Sequence, residues 1–135
     1  SHNECLALYI QYWERFNGDS INSLFRNALY AARRSDMICF RPLEDVDSSF
    51  ECQKEILYDD TYYYTSTALL KKIIKVQLRS YMPSDVLNRL KTAGVLSGSV
   101  PKTLTFAPND SKDFRFRTLL RSSLHQPGSR DLVEI

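Results

Sequence analysis

The chain has 135 residues, 43% of them hydrophobic and 25% charged, and a net charge of +2, which is enough apolar material for one folded domain. No apolar run approaches the roughly 18 residues of a membrane span and no secretory leader is legible, so a cytoplasmic setting without a membrane partner is expected. The three cysteines (Cys5, Cys39, Cys52) are odd in number and widely spaced, a pattern of reduced thiols rather than of a disulfide framework.

Asn3 serves as an N-cap for a helix that carries Leu6, Ile10 and Trp13 on one face and ends at Asn17-Gly18. Because it opens Ser1-His2-Asn3 and enters a helical pattern at once, the chain reads as a piece of a larger protein. A second helix starts at Asp19-Ser20 and aligns Ile21, Leu24, Phe25, Ala28, Leu29 and Ala32 on one side. Its closing pair Arg33-Arg34 suits the negative end of a helix dipole. The tight connection packs the two helices antiparallel.

Met37 to Phe40 reads as a short buried strand, and Leu43 to Ser49 as an acidic loop. Ile56 to Tyr58, a turn at Asp59-Asp60, and Thr61 to Thr65 make a strand pair in which the run Tyr62-Tyr63-Tyr64 favours a pleated sheet. Alternation assigns Tyr63 to the core, and Tyr62 and Tyr64 either to the core or to a base-stacking surface. Ser66 or Thr67 caps a helix running to about Arg79, and Pro83-Ser84-Asp85 opens another that ends at Gly94. Strands follow at Thr103 to Phe106 and Phe114 to Leu119, joined by a polar loop, and Ser, His, Gln, Pro and Gly dominate from Ser122 on.

From Thr61 the order is strand, helix, helix, strand, loop, strand, which is that of a winged helix. The expected fold is therefore α+β and mostly helical: a helical N-terminal segment (residues 1–60) packed on a winged helix-turn-helix (61–121), with a flexible tail (122–135).

Charge is unevenly shared. Residues 1–60 hold six basic and eleven acidic side chains, whereas residues 61–135 hold twelve basic and five acidic. A positive half in a near-neutral chain points to a local polyanion-facing surface. At about 100° per residue, Lys71, Lys72, Lys75 and Arg79 share a strip roughly 100° wide, opposite Leu70, Ile73 and Ile74. Such a strip can track phosphates. On the next helix Asn88, Arg89 and Lys91 lie away from the apolar side, as residues able to reach a groove. In the last strand, period two sends Phe114 and Phe116 to one side and Arg115 and Arg117 to the other. With Lys102 and Lys112 nearby, the arginines read as a wing that flanks a nucleic-acid backbone.

Catalytic signatures are lacking: there is no phosphate-binding Gly-x-x-x-x-Gly-Lys, no Gly-x-Gly-x-x-Gly and no His-Glu-x-x-His. No Cys-x-x-Cys occurs, and His2 and His125 stand near opposite ends, so no metal, cofactor, small-molecule ligand or enzyme activity is expected.

The helical segment, the strand around Ile56 to Tyr64, and the run Leu90-Lys91-Thr92-Ala93-Gly94-Val95-Leu96 before two strands together resemble the C-terminal winged-helix region of helicase- or primase-like ATPases of plasmids, phages and integrated elements. The resemblance implies a missing N-terminal motor and a role for this piece in engaging DNA, duplex or single-stranded. The expected function is an accessory nucleic-acid-binding domain of a larger replication, mobilisation or regulatory protein. A winged helix that docks a partner protein or the parent chain is the competing expectation.

Overall fold

The computed structural model describes residues 21–106, 110–125, 128 and 130–134; the helix expected over residues 3–17 lies outside them. The first described helix, α1 (residues 21–34), buries Ile21, Phe25, Ala28, Leu29 and Ala32 along one stripe. It stops at Asp36, whose φ of 60° is left-handed, a conformation that aspartate tolerates better than most residues. That turn lets the Met37 N–H return to the Ala32 carbonyl at 2.9 Å.

Five strands follow: β1 (Cys39–Pro42), β2 (Glu55–Tyr58), β3 (Tyr62–Thr65), β4 (Val100–Phe106) and β5 (Asp110–Leu120). Between β3 and β4 lie α2 (Thr67–Gln77) and α3 (Pro83–Thr92), and the short helix α4 (Arg121–Leu124) leaves the end of β5. The strands form one mixed sheet in the order β1-β2-β3-β5-β4. The β1–β2 pair is parallel, and every other neighbour is antiparallel.

Side chains alternate across a sheet, and here both faces are covered. On one face Ile38, Ile56, Tyr63 and Leu119 join the buried stripes of α1, α2 and α3 in the main core. On the other, Leu57, Leu104 and Phe116 form a second core, with Leu43, Val46, Phe50, Tyr64 and Phe114 packed against it. The cover for this second face is the 43–54 connection between the parallel strands. Its Phe50 ring meets Phe114 edge-on, with centroids 5.3 Å apart. Arg41 fastens it, reaching Asp47 at 2.9 Å and the buried Glu55 at 2.6 Å.

This architecture corrects the expected one. The chain is not mostly helical with a helical segment ahead of a winged helix; it is an α+β fold on a five-stranded mixed sheet. The strand-helix-helix-strand-strand order over Tyr62–Leu120 is present, but β1 and β2 extend its strands into a larger two-sided sheet. The physical reason lies in residues 37–58. Ile56 and Leu57 point to opposite faces and are both fully buried, so β2 must be an inner strand with apolar cover on both sides. Pairing also runs straight across the boundary expected at residue 60, since Leu57 and Tyr58 register with Tyr64 and Tyr63.

The described part of residues 122–134 is anchored rather than loose. Leu124 and Leu132 are buried in the main core, and Arg121 pairs with Asp131 at 2.7 Å. The Arg121 guanidinium also lies over the rings of Tyr58 and Tyr63, at 5.3 and 5.5 Å. Burial, then the Asp131 charge, pushes the Tyr63 hydroxyl up to about 12. Burial raises the Asp131 carboxyl, but hydrogen bonds from Arg121 and the Val133 N–H outweigh it and leave the group below its ordinary value. A carboxylate with a depressed folded-state value contributes stability above its unfolded value, near 4, and loses it as pH falls through the folded one. Asp131→Asn should therefore be less stable than the parent in urea at pH 7. The gap should narrow below about pH 4; a gap constant with pH would count against the pairing.

Candidate nucleic-acid interface

The hydroxyl of Ser66 accepts the Leu69 N–H at 3.1 Å and starts α2, as a serine N-cap does. Leu69, Leu70, Ile73 and Ile74 turn inward, leaving Lys71, Lys72 and Lys75 exposed on the outer side. The helix closes at Leu78, so Arg79 stands in the following turn, also exposed.

Pro83 occupies the first turn of α3, where its missing N–H costs nothing. Val86, Leu87 and Leu90 are buried, and Asn88, Arg89 and Lys91 are exposed. Gly94 ends the helix at φ +78°, a conformation glycine adopts without strain. The Val95 N–H then returns to the Leu90 carbonyl at 3.0 Å, and Val95 and Leu96 drop into the core.

Between Ser66 and Gly94 the chain carries six cations (Lys71, Lys72, Lys75, Arg79, Arg89, Lys91) and a single acid, Asp85. Among the described residues none of the six forms an ion pair; the pairs seen join Arg41 to Asp47 and Glu55, and Arg121 to Asp131. Six charges of one sign on the exposed sides of two packed helices produce a field that reinforces outward.

The strand residues divide differently from the expected wing. Arg115 is exposed, whereas Arg117 is half-buried and donates through Nε to the Ser97 carbonyl at 2.9 Å. By alternation with Leu119, both lie on the helix side of the sheet. Lys102 registers with Phe114 on the opposite side, and its Nζ sits 5.0 Å above the Tyr64 ring. Lys112 caps Phe114 there in the same way, at 5.6 Å. A sheet one residue thick separates Lys102 and Lys112 from the arginines, so these four cations do not form one surface. Arg117, committed to a loop carbonyl, has a structural task.

Of the three tyrosines, Tyr63 is core, as its alternation requires. Tyr64 donates its hydroxyl to Asp59 at 2.6 Å, and its ring meets Tyr62 at 6.3 Å. The reading of residue types along the chain overlooked three exposed apolar residues beside the lysine strip: Val76, Tyr81 and Met82, at 43%, 40% and 65% exposure. The one available signal was the pair Tyr81-Met82 in a segment assigned to a tight turn.

A shallow hollow of about 360 Å³ elsewhere is lined by Pro42, Leu43, Glu44, Tyr58, Asp59 and Asp60. Its Asp59 carboxylate is already engaged by the Thr61 and Tyr62 N–H groups and the Tyr64 hydroxyl. Among the described residues no group of three or more His, Cys, Asp or Glu side chains could hold a metal, and no helix is long and apolar enough to cross a membrane. No known protein family, curated protein or solved structure matches this chain.

Proposed function

We propose that the chain is an accessory nucleic-acid-binding module of a larger replication or regulatory protein, and that the outer sides of α2 and α3 hold the phosphate backbone. The observation that carries this reading is the set of six exposed cations on the helix pair, none in an ion pair with a described residue and only Asp85 of opposite sign among them. Lysines in a mixed surface ordinarily alternate with acids that neutralise them; this face keeps its charge for an external anion. Lys71, Lys72, Lys75 and Arg79 contact phosphates. Asn88, Arg89 and Lys91 reach sugar or base edges, and Arg115 adds a contact from the sheet. Lys102 and Arg117 take no part, for the reasons of geometry given above.

Fluorescence anisotropy with labelled oligonucleotides over a salt series tests the proposal. Six phosphate contacts give a slope of log affinity against log salt of about −4 for a single strand, and so a loss of about 300-fold between 50 and 200 mM salt. Absence of binding at low salt would overturn the proposal and turn attention to a protein partner for the same face.

A further inference from the structure

Resting on the reading of α2–α3 as a phosphate-binding face, we infer that this face takes unpaired nucleic acid, with Tyr81 and Met82 in the turn between the helices stacking on exposed bases. Both side chains project from the middle of the basic surface. Lys75 and Arg79 precede them and α3, with Arg89 and Lys91, follows.

Nothing in the fold accounts for these two residues. Tyr81 and Met82 are 40% and 65% exposed, and among the described residues the Tyr81 hydroxyl has no hydrogen-bond partner. Met82 holds the N-cap position of α3 and makes no capping bond from its side chain, at a site where serine, threonine, aspartate or asparagine would stabilise the helix. A large apolar residue there is unfavourable for folding on two counts, lost capping and exposed surface.

The turn is nevertheless well ordered. The Leu78 N–H bonds to the Ile74 carbonyl at 2.8 Å and the Tyr81 N–H to the Leu78 carbonyl at 3.0 Å. On the other side, the Met82 carbonyl accepts the Asp85 and Val86 N–H groups at 3.0 and 3.2 Å. Pro83, with its φ fixed by the ring, stiffens the entry to α3. An aromatic ring and a polarisable thioether are thus presented at a set position among cations.

Phosphates occur in duplex and single strand alike, but only the single strand offers base faces without first breaking a stack. Base–aromatic stacking tolerates any sequence, and an electropositive surface interleaved with such a ring is the usual chemistry of single-strand binding. The other exposed tyrosine, Tyr62, is less suited: its ring already meets Tyr64, and the nearest cation, Lys102, lies over the Tyr64 ring.

The test compares an oligothymidylate strand with a blunt duplex of equal length at one low salt concentration. The parent chain, Tyr81→Ala, Tyr81→Phe and Met82→Ala are measured side by side. The expected result is tighter binding of the strand by the parent, a loss of about tenfold on the strand in Tyr81→Ala, and near-parent affinity in Tyr81→Phe, which keeps the ring. Duplex binding changes little in any variant. An unchanged thermal midpoint in Tyr81→Ala shows that the loss is not one of folding. Equal binding of strand and duplex, or a Tyr81→Ala variant that keeps its strand affinity, overturns the inference while the phosphate-binding reading stands. Binding of neither probe by the parent overturns both.

Discussion

Reversing Lys72 and Lys75 together to glutamate should weaken nucleic-acid binding about a hundredfold at low salt and flatten the salt slope by about 2, one contact for each side chain. Both lysines are exposed on α2, and neither is needed by the core, whose α2 contribution is Leu69, Leu70, Ile73 and Ile74. The fold should therefore survive, and an unfolding midpoint within a few degrees of the parent checks this. Net charge alone could mimic the effect, so a control is needed. Arg34→Glu with Lys54→Glu makes the same change in total charge at exposed positions away from α2 and α3. If binding depends on a local surface, the control loses far less than the lysine pair. Equal losses would mean a diffuse attraction with no defined face, and unchanged affinity in the lysine pair would remove the basis for a phosphate site on α2.

Phe116→Ala should cost about 3–5 kcal/mol, the range for an aromatic side chain deleted from a packed core. Phe116 is 1% exposed and one of the three buried side chains of the second core. Its ring stacks on Phe114 at 5.6 Å and meets Phe50 and Tyr64 edge-on. With so few side chains in that layer, nothing can close over the gap. The 43–54 connection would lose the surface against which Phe50 packs, with only the Arg41 contacts left to hold it. The expected readouts are a fall of about 10–20 °C in melting temperature and proteolytic cleavage between residues 43 and 54 before cleavage elsewhere. Phe116→Leu, which retains most of the volume, should cost less than about 1.5 kcal/mol. A small loss in the alanine variant would show that the second face is not a core. Because α2 and α3 lie on the other side of the sheet, nucleic-acid affinity measured well below the melting temperature should stay near the parent value.

Several elements were legible because their signals are local. Ser66 ahead of an apolar run, Pro83 opening a helix and Gly94 closing it are capping chemistry, set by backbone groups within a turn of the residue concerned. The side of α2 that carries its lysines follows from 3.6-residue periodicity, and the division of Phe114 and Phe116 from Arg115 and Arg117 follows from period two. Tyr63 in the core belongs to the same class, since Tyr62 and Tyr64 must point the other way. The candidate site was readable to the same extent: helix faces are properties of the helix alone.

The number of strands in the sheet was not readable that way. Cys39–Pro42 and Glu55–Tyr58 are four residues each, too short for periodicity to distinguish strand from buried helix. What fixes them is pairing across residues distant in sequence. The parallel partner of β1 lies sixteen positions on, as Cys39 registers with Glu55, and a parallel pair needs a connection whose course no local rule determines. For the same reason residues 1–60 looked helical, and the anchoring of Leu132 and Asp131 to the body of the fold was invisible.

The sequence by itself determined the helix pair, its caps, its charged side and the alternation within β5, because each depends on groups a few residues apart. Only the tertiary structure decided that β1 and β2 extend the sheet, that Lys102 and Arg115 stand on opposite faces of it, and that Tyr81 and Met82 remain in solvent. Exposure and the meeting of distant strands are set by what the rest of the chain covers, and covering is a property of the packed whole.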